Sequence, residues 1–347
     1  MDSVRLALIG FGNVGQGFVH ILKEQGEALA QQFGVRFQIV AVSDILKGSV
    51  YNPDALDPAT LLEAIHSSGN LADVPAPIRG WDALLTIQSS NADVIIELTP
   101  TNLETGEPAL TYLKSALRQG RHIVTSNKGP IALHYPELKA LAGTYGVQIG
   151  IEGTVMSGTP VLHLGQNLLT ASSIRCLQGI VNGTTNYILT RMENGVHFTN
   201  ALLEAQAQGY AETDPTSDIE GYDAAAKMVI LANVLMGASL SITDVTRVGI
   251  THITLQDVAT ARAQGQVWKL VGKVEKKEDI VMASVQPTLL PLTHPLAFIA
   301  GTTNAITFTT DLLGDVTIMG PGAGRLETGS ALISDLLAIY HKSDSKY

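Results

Sequence analysis

The sequence has 347 residues, of which 45% are hydrophobic and 16% are charged, and its formal net charge is −10 at pH 7. This length accommodates two domains with their own cores, and the composition excludes a disordered chain. The negative charge and the lack of a Lys or Arg run disfavour nucleic acids and anionic membranes as partners. Cys176 is the only cysteine, which excludes an intramolecular disulfide and favours a reducing, cytoplasmic compartment.

Strand and helix patterns alternate over the first 150 residues. Apolar runs predict short buried strands at 4–9, 37–42, 94–98, 122–125 and 147–151. Helical spacing predicts helices between them at 14–32, 103–118 and 134–145. This alternation predicts an α/β fold of the Rossmann type, a doubly wound parallel sheet with helices on both faces. The segment 47–76, rich in Pro, Asp and Ser, is expected to form a helix between loops at the rim.

A different pattern begins near residue 151. Strands are predicted at 173–181, 266–275, 279–286, 305–310 and 316–319, with helices at 184–193, 200–207 and 221–236. A short charged turn between 266–275 and 279–286 predicts an antiparallel hairpin. We therefore predict a dinucleotide-binding domain over 1–150, completed by a C-terminal helix within 322–347. A second, α+β domain for substrate binding and catalysis is predicted over 151–321.

A glycine-rich loop lies between the first predicted strand and the first predicted helix, with the sequence Gly10-Phe11-Gly12-Asn13-Val14-Gly15. In such a loop the first glycine permits a tight turn, the second lets the backbone approach a pyrophosphate, and the third allows close helix–strand packing. The helix N-terminus adds amide donors and a positive dipole end. The loop therefore predicts a site for NAD or NADP, against the alternative of a structural turn that binds nothing.

Asp44 closes the second predicted strand. An acidic side chain at this position can bind the adenosine ribose 2′-OH and repel a 2′-phosphate. The same side chain could instead cap the following turn, and Lys47 could pair with a 2′-phosphate. The sequence leans towards NAD but leaves the choice between NAD and NADP open.

The segment 209–227 runs from a polar loop into an apolar helix. Pro215 and Gly221 divide this segment into a loop followed by a helix. Asp223 and Lys227 are four residues apart and therefore share one face of that helix. Residues 228–235 are almost wholly apolar, so this helix is expected to be buried. A surface ion pair would be ordinary at such spacing. A lysine that begins a buried helix needs a partner or a function, because burying a charge is costly.

Several segments together resemble the homoserine dehydrogenase family. Gly-Tyr-x-Glu-x-Asp-Pro at 209–215, followed by Asp223 and Lys227, is similar to the family signature. Thr-Ser-Asn-Lys at 125–128 resembles its lysine motif at a strand end, and the segment 152–160 resembles its Glu-x-x-Val segment. Gly-Ile-x-Asn-Gly-Thr-x-Asn at 179–186 and the glycine loop 320–324 extend the resemblance over essentially the whole chain.

The resemblance implies interconversion of L-homoserine and L-aspartate 4-semialdehyde with NAD or NADP, in threonine and methionine biosynthesis. It implies that Lys227 donates and accepts the proton at the reacting oxygen, that Asp223 orients Lys227, and that Lys128 is a second lysine near both nicotinamide and substrate. The substrate-binding residues that it implies are Glu212, for the amino group, Asp218, Gly183 and Lys128.

The resemblance also implies residues for other ligands. The nicotinamide half of the cofactor would be lined by Thr99, Ser126, Lys128 and Gly322. A monovalent cation, Na⁺ or K⁺, would be held largely by backbone carbonyls at Glu152, Val155, Ser157 and Thr159. A homodimer formed through the second domain is expected, without a regulatory domain or a fused aspartate kinase. Gly129-Pro130 departs from the lysine or small polar residues common after Lys128, which leaves the geometry of that loop open.

Other functions would need features that the sequence does not offer. An aldehyde-oxidising dehydrogenase needs a thiol nucleophile, but Cys176 lies within a predicted strand, without a glycine-rich turn to expose it. A non-catalytic dinucleotide-binding sensor would need a module or a basic face that reads nucleic acid. The histidines form no His-x-x-x-His pair, so no transition-metal site is predicted. A Rossmann-fold dehydrogenase of another small amino or hydroxy acid is the open alternative.

Overall fold

The computed structural model describes residues 2–340, and in this range the chain forms two compact units. The first unit contains the residues up to Gly158 together with those from Gly324 onward, and the second contains Thr159–Ala323. The second unit is thus an insertion in the first. Residues 341–347 of the predicted C-terminal segment lie outside the described residues. No helix within 2–340 is long and apolar enough to cross a membrane.

Among its described residues, the first unit contains seven strands: β1 (Asp2–Ile9), β2 (Val35–Asp44), β3 (Gly48–Tyr51), β4 (Ile78–Arg79), β5 (Val94–Glu97), β6 (His122–Thr125) and β7 (Ile149–Gly150). They form one sheet in the order β4-β3-β2-β1-β5-β6-β7. The pairs β1–β2, β1–β5, β5–β6 and β6–β7 are parallel. The predicted doubly wound parallel sheet is confirmed, and its carboxyl edge is where such sheets bind ligands.

The segment expected as a helix between loops contains more structure than predicted. Its helix is α2 (Pro58–Ser68), and the Asp57 side chain caps it by accepting from the Thr60 amide. It also contains β3, which pairs antiparallel with both β2 and β4. The sequence analysis missed β3 and β4 because strands of four and two residues are too short to show a period.

Five other helices belong to the first unit: α1 (Asn13–Phe33), α3 (Ala83–Ser89), α4 (Ala109–Arg118), α5 (Lys128–Tyr145) and the last helix, α12 (Arg325–Tyr340). The helix predicted at 134–145 is the second of two helical stretches that meet at a kink inside α5, and the first stretch, from Lys128, was not predicted. The Asn127 side chain caps α5 by accepting from the Gly129 amide, and Pro130 is tolerated in the first turn, where its missing N–H is not needed. His134 has non-helical angles and marks a kink inside α5.

The C-terminal helix α12 packs closely against α1 through glycines. A Cβ atom on Gly17 would lie 2.2 Å from the carbonyl oxygen of Arg325, and one on Gly329 would lie 2.9 Å from the amide nitrogen of Phe18. Leu332 and Leu336 enter the same core as Phe18. The helix predicted to return to the first domain therefore completes its hydrophobic core.

The second unit contains six strands: β8 (Ile174–Ile180), β9 (Thr246–Arg247), β10 (Gln266–Lys277), β11 (Ile280–Pro291), β12 (Thr303–Thr310) and β13 (Gly314–Pro321). Their order is β13-β12-β8-β10-β11-β9, and the predicted antiparallel hairpin is formed by β10 and β11. The helices are α6 (Val161–His163), α7 (Gly183–Glu193), α8 (Phe198–Ala207), α9 (Thr216–Ile219), α10 (Tyr222–Leu235) and α11 (Leu255–Ala263). The unit is therefore α+β, as predicted.

Helix α10 is buried, as its apolar sequence predicts. Every residue from Asp223 to Val234 is buried. The helix lies against the sheet where Gly272 of β10 leaves room, since a Cβ atom there would lie 2.7 Å from the sulphur of Met228. The first turn of α10, which carries two charged side chains, is thereby held in a low-dielectric environment.

Candidate active site

A buried lysine forms the centre of the site in the second unit. The Nζ of Lys227 lies 2.8 Å from Oδ2 of Asp223, one helical turn earlier on α10, and donates to the carbonyl oxygen of Val181 at 2.7 Å. Both charged side chains are about nine-tenths buried, with 8% and 11% of their side-chain surface exposed. Val181 follows β8, so the lysine head is fixed between a helix and the end of a strand.

Asn182 connects this pair to a second carboxylate. Its Oδ1 accepts from the Thr185 amide at 2.9 Å and so caps α7. Its Nδ2 donates to Oδ1 of Asp218 at 2.6 Å and to Oδ2 of Asp223 at 3.0 Å. Burial raises the pKa of Asp218, and the neighbouring Asp223 carboxylate raises it further, while the hydrogen bond from Asn182 opposes the rise.

The turn before α10 is held by an arginine from another segment. Gly221 has a φ of 80°, a left-handed conformation that favours glycine. The Arg247 guanidinium lies 3.5 Å from the ring centroid of Tyr222 and donates to the carbonyl oxygen of Glu220. These contacts fix the first turn of α10, which contains Asp223, and so they fix the direction of the lysine one turn later.

The loop that carries Glu212 is anchored through its backbone. Gln206 of α8 donates to the carbonyl oxygens of Glu212 and Thr213 at 3.0 and 3.2 Å. Thr184, next to Gly183 in the first turn of α7, donates to the carbonyl oxygen of Tyr210 at 2.7 Å. The Glu212 side chain itself is exposed to solvent. The loop thus lies beside the N-terminus of α7 with an accessible carboxylate.

The glycine loop in the first unit has the geometry of a phosphate site. Gly10 has a φ of 95°, and a Cβ atom there would lie 2.6 Å from the carbonyl oxygen of Leu98. A Cβ atom on Gly12 would have no neighbour within 4 Å, so the backbone at this position faces open space. No side chain caps the N-terminus of α1. An anion can therefore approach the first amides of the helix, including those of Asn13 and Val14.

Asp44 stabilises this loop as well as its own turn. Its Oδ2 accepts from the Phe11 amide at 2.7 Å, and its Oδ1 accepts from the Leu46 and Lys47 amides at 3.0 and 2.9 Å. Burial acts to raise the pKa of Asp44, but these hydrogen bonds outweigh it and hold the pKa below its usual value. The turn-capping alternative is therefore present in the structure. A carboxylate accepts about four hydrogen bonds, so a further donor can still be accommodated.

The ends of β5 and β6 carry Thr99, Ser126 and Lys128, with Lys128 in the first turn of α5. Sequence reasoning missed Glu97 beside them, the last residue of β5, which is fully buried. The signal available was an acid at the end of the apolar run Val-Ile-Ile.

Gly129, the departure from the family pattern, also has a structural reason: a Cβ atom there would lie 2.3 Å from the carbonyl oxygen of Asn102.

The segment proposed for a cation contains a short 3₁₀ turn at Glu152–Thr154. Glu152 is buried, and its backbone amide donates to Oδ2 of Asp335 at 3.0 Å. Ser157 has a φ of 53° and its Oγ lies 2.7 Å from Oγ1 of Thr328. Within residues 2–340 no cluster of three or more His, Cys, Asp or Glu side chains could hold a metal ion. Any ion at this segment would therefore depend largely on backbone carbonyls.

Residues at the end of the second unit enclose a buried amide. A Cβ atom on Gly322 would lie 2.0 Å from Nδ2 of Asn304, and the Thr159 hydroxyl donates to the carbonyl oxygen of Pro321 at 3.0 Å. Asn304 is fully buried, and among the described residues neither of its amide atoms has a hydrogen-bond partner.

Cys176 is half-buried within β8, and burial raises the pKa of its thiol, which disfavours a nucleophilic role.

Each unit therefore assembles its own group of predicted residues. The first unit holds Gly10, Phe11, Gly12, Asn13, Val14, Gly15, Asp44, Thr99, Ser126, Lys128, Glu152, Val155 and Ser157. The second unit holds Lys227, Asp223, Asp218, Glu212, Gly183, Thr159 and Gly322. Asn182, which links the two aspartates, belongs to the motif at 179–186, but the sequence predicts no role for it.

A sheet edge suited to a dinucleotide and a separate buried lysine–carboxylate group define an NAD(P)-dependent oxidoreductase, and comparisons with known proteins agree. Residues 10–152 match the family model for the homoserine dehydrogenase NAD-binding domain, and residues 160–337 match the model for homoserine dehydrogenase. The chain belongs to the homoserine dehydrogenase family, whose reaction interconverts L-homoserine and L-aspartate 4-semialdehyde.

Individual relatives are similar along their whole length. An NAD(+)-dependent homoserine dehydrogenase of Pseudomonas canavaninivorans is 46% identical, over 100% of this chain and 99% of the relative. A homoserine dehydrogenase of Methanocaldococcus jannaschii is 40% identical, over 97% and 99%. The structure of a hyperthermophilic archaeal homoserine dehydrogenase in complex with NADPH superimposes with a TM-score of 0.83 at 29% identity, covering 97% of both chains.

Proposed function

We propose that Lys227 is the general acid and base of the homoserine dehydrogenase reaction and that Asp223 orients it. The observation that carries this proposal is the fixed position of the lysine head, between the Asp223 carboxylate at 2.8 Å and the Val181 carbonyl at 2.7 Å. A positioned proton donor and acceptor is what reduction of an aldehyde, or oxidation of an alcohol, requires of the protein.

The nicotinamide cofactor supplies or removes the hydride, and the chain's residues manage the proton and the substrate. Lys227 donates a proton to the carbonyl oxygen of the semialdehyde and, in the opposite direction, removes it from the homoserine hydroxyl. Asp223 and the Val181 carbonyl hold the ammonium in one orientation, so that no reorganisation is needed as the oxygen changes charge. Asn182 keeps Asp223 in place.

Glu212 binds the substrate ammonium by a charge-assisted hydrogen bond, for which its exposed carboxylate and anchored loop are suited. Gly183 begins α7, an eleven-residue helix whose N-terminus favours the substrate carboxylate. A Cβ atom on Gly183 would lie 2.8 Å from the carbonyl oxygen of Thr302, which leaves no room for a side chain there. Asp218 supports this side of the site through Asn182, and Lys128 is assigned to the substrate and to the nicotinamide.

We propose that the chain prefers NAD over NADP. The glycine loop fits a pyrophosphate, because Gly12 faces open space and α1 has no side-chain cap. At the end of β2, where a 2′-phosphate would lie, the chain presents the Asp44 carboxylate followed by Ile45 and Leu46, both almost fully exposed. The Nζ of Lys47 lies 3.9 Å from Oδ2 of Asp44. The relative from Pseudomonas canavaninivorans carries the name NAD(+)-dependent, which supports the same choice.

We also propose that Glu152, Val155, Ser157 and Thr159 hold a monovalent cation. The donor set fits a hard ion, because it combines one buried carboxylate with backbone carbonyls in a turn distorted at Ser157. Such an ion would be structural. Thermal unfolding in NaCl, KCl and tetramethylammonium chloride at equal ionic strength tests this, since a site requires a higher Tm with one of the metal ions. Equal unfolding temperatures in all three salts would contradict it.

A homodimer is proposed through the open face of the second unit's sheet. Registered side chains on one face, Asp315, Thr309, Cys176, Glu275 and Met282, cross five neighbouring strands. All five are exposed or half-buried, whereas Phe308, Leu177 and Val274 on the opposite face are fully buried. A second copy would cover this face. Sedimentation of the wild type and of Met282→Arg tests the proposal, which requires a dimer that the arginine dissociates.

A cytoplasmic location is proposed from the single cysteine, which needs no oxidising compartment.

The activity and the cofactor choice are tested together. Purified protein is incubated with L-homoserine and either NAD⁺ or NADP⁺, and the reduced cofactor is followed by absorbance. The proposal requires reduction of NAD⁺ with the higher kcat/KM. Faster reduction of NADP⁺ would overturn the preference, and no reduction of either would overturn the assigned chemistry.

A further inference from the structure

A buried carboxylate lies at the cofactor edge of the first unit without a role in the reaction as described so far. Glu97 is the last residue of β5 and is fully buried. Burial raises the pKa of its carboxyl group, and hydrogen bonds from Thr99 and Thr125 oppose that rise. Burying a carboxylate costs folding free energy, whereas burying an apolar side chain at the end of this apolar strand would not. The position therefore calls for an explanation.

The hydrogen bonds of Glu97 all come from donors at the carboxyl edge of the sheet. Its Oε1 accepts from the backbone amide of Thr99 at 2.8 Å and also from the Thr99 hydroxyl. Its Oε2 accepts from the hydroxyl of Thr125, the last residue of β6, at 3.0 Å. One carboxylate thus joins the ends of two adjacent parallel strands.

The network continues into the first turn of α5. The Thr125 hydroxyl accepts from the Asn127 amide at 3.0 Å, and the Asn127 side chain donates to the carbonyl oxygen of Thr99 at 3.0 Å. The other end of that side chain accepts from the Gly129 amide at 3.1 Å and caps the helix. Lys128 lies between these two anchored residues, so the network of Glu97 fixes its backbone.

We propose that Glu97 is a positioning residue, which holds the first turn of α5 against the end of β5 and thereby sets the position of Lys128 for turnover. This inference rests on the role assigned to Lys128 in the proposed function. Glu97 would act through the backbone of this turn, by way of Thr99, Thr125 and Asn127.

The network depends on the acceptor oxygens of Glu97. The Thr99 amide can only donate, so Oε1 must be an acceptor, and the hydroxyls of Thr99 and Thr125 lie within hydrogen-bond distance of Oε1 and Oε2. In Glu97→Gln, the amide nitrogen would face either the Thr125 hydroxyl, which then loses its acceptor, or the Thr99 amide, which is itself a donor. The substitution keeps size and shape, so it disturbs the network without leaving a cavity. A misplacement of about 1 Å can lower turnover by about a hundredfold.

A double-mutant cycle tests the proposal. Glu97→Gln is expected to lower kcat by about tenfold to a hundredfold in the otherwise wild-type enzyme. In a Lys128→Ala background it should lower kcat little further, because there is no lysine left to position. In a Lys227→Ala background its effect should persist undiminished. The dissociation constant of NADH, measured by fluorescence, should change less than kcat does, because the glycine loop that fits the pyrophosphate is untouched.

The matched control lies at the other end of the same strand. Asp93 precedes β5, and its carboxylate accepts from the Arg5 guanidinium at 2.7 and 3.0 Å. Asp93→Asn also removes a charge from a hydrogen-bonded acid of this sheet, and its effect on kcat per folded molecule should be small and equal in both backgrounds. If Glu97→Gln fails to fold, Thr125→Val removes one donor to the same carboxylate and takes its place in the cycle.

Three outcomes would overturn the inference. The first is near-normal kcat in folded Glu97→Gln. The second is an undiminished effect of Glu97→Gln in the Lys128→Ala background, which would show that Glu97 does not act through Lys128. The third is normal turnover in Lys128→Ala alone, which would refute the proposed role of that lysine as well. The single variant therefore separates a failure of the proposed function from a failure of the inference.

Discussion

Asp218 and Asp223 are held by one amide group, the Nδ2 of Asn182, which lies 2.6 Å from the first carboxylate and 3.0 Å from the second. Two carboxylates that share a donor repel each other, and only Asp223 has the Lys227 ammonium within salt-bridge distance, at 2.8 Å. The pKa of Asp218 is consequently raised, first by burial and then by the charge of Asp223. The free energy of unfolding is therefore expected to depend on pH through the ionisation of Asp218.

The first prediction concerns this dependence. A carboxyl group whose pKa is raised in the folded state binds a proton more tightly when folded. Ionising it costs folding free energy as the pH rises from its unfolded pKa, near 3.8, through the raised folded pKa. Relative to Asp218→Asn, the wild type should lose stability over that interval and then level off. Urea unfolding of both proteins between about pH 4 and about pH 7 measures the difference. A difference that does not change with pH, or that favours the wild type as the pH rises, would contradict the raised pKa.

The second prediction concerns the acid and base. Lys227→Met keeps the length of the side chain and removes the proton donor, so kcat should fall by about 10²- to 10⁴-fold. The NADH dissociation constant should be nearly unchanged, because the glycine loop belongs to the other unit. Steady-state kinetics per folded molecule provide the measurement.

Lys269→Met is the matched control. Lys269 is also buried and also paired, with Glu193 at 3.1 Å, but it lies outside the candidate-site cluster. It should lower stability and leave turnover close to normal. Equal turnover in the two variants would remove Lys227 from the chemistry.

The third prediction concerns the substrate ammonium. Glu212→Gln keeps the shape of the side chain and removes its charge. A charge-assisted hydrogen bond contributes about 1.5–3 kcal/mol, so the KM for homoserine should rise by about ten- to a hundredfold while kcat changes less. Initial rates at saturating NAD⁺ give both constants. The control is Glu204→Gln on the preceding helix, where the carboxylate pairs with Arg191 at 2.7 Å, and it should leave the KM unaltered. A wild-type KM in Glu212→Gln would place the ammonium elsewhere.

The fourth prediction concerns cofactor choice. Asp44→Asn retains an acceptor oxygen for part of the capping hydrogen bonds and removes the negative charge that would repel a 2′-phosphate. The ratio of kcat/KM for NADP⁺ to that for NAD⁺ should therefore rise by about tenfold. Because Asp44 also holds the Phe11 amide at 2.7 Å, both individual efficiencies should fall somewhat, and only the ratio is diagnostic. Asp57→Asn, which alters the cap of α2 in the same unit, should leave the ratio constant. If Asp44→Asn also leaves it constant, the carboxylate serves the loop alone.

The parallel half of the fold could be predicted from the sequence because its signals are local. β1, β5 and β6 are short apolar runs, and the glycine turn between β1 and α1 has a fixed spacing. The short strands β3 and β4 and the short helices α6 and α9 give no period to detect. Their formation depends on tertiary contacts that local patterns do not encode.

The candidate site was predicted only in part, for the same reason. The spacing of Asp223 and Lys227 placed them on one helix face, and the structure pairs them. The partners that complete the cluster come from 36 to 46 residues away along the chain, from Asn182 to Asp218 and from Val181 to Lys227. Glu97 is similar, because its bond to Thr125 spans 28 residues. Such pairings follow from the fold and cannot be derived from spacing.

The return of α12 to the first unit affects how the protein can be made. Helix α1 leaves the ribosome early, yet the groove at Gly17 and Phe18 is filled only by α12, which is translated after the whole of the second unit. During synthesis the apolar surface of α1 that contacts Leu332 and Leu336 has no native partner. The inserted unit, in contrast, contains all six strands of its own sheet in one continuous segment of the chain. The nucleotide-binding half, although it begins the chain, can therefore complete its hydrophobic core only after α12 has been synthesised.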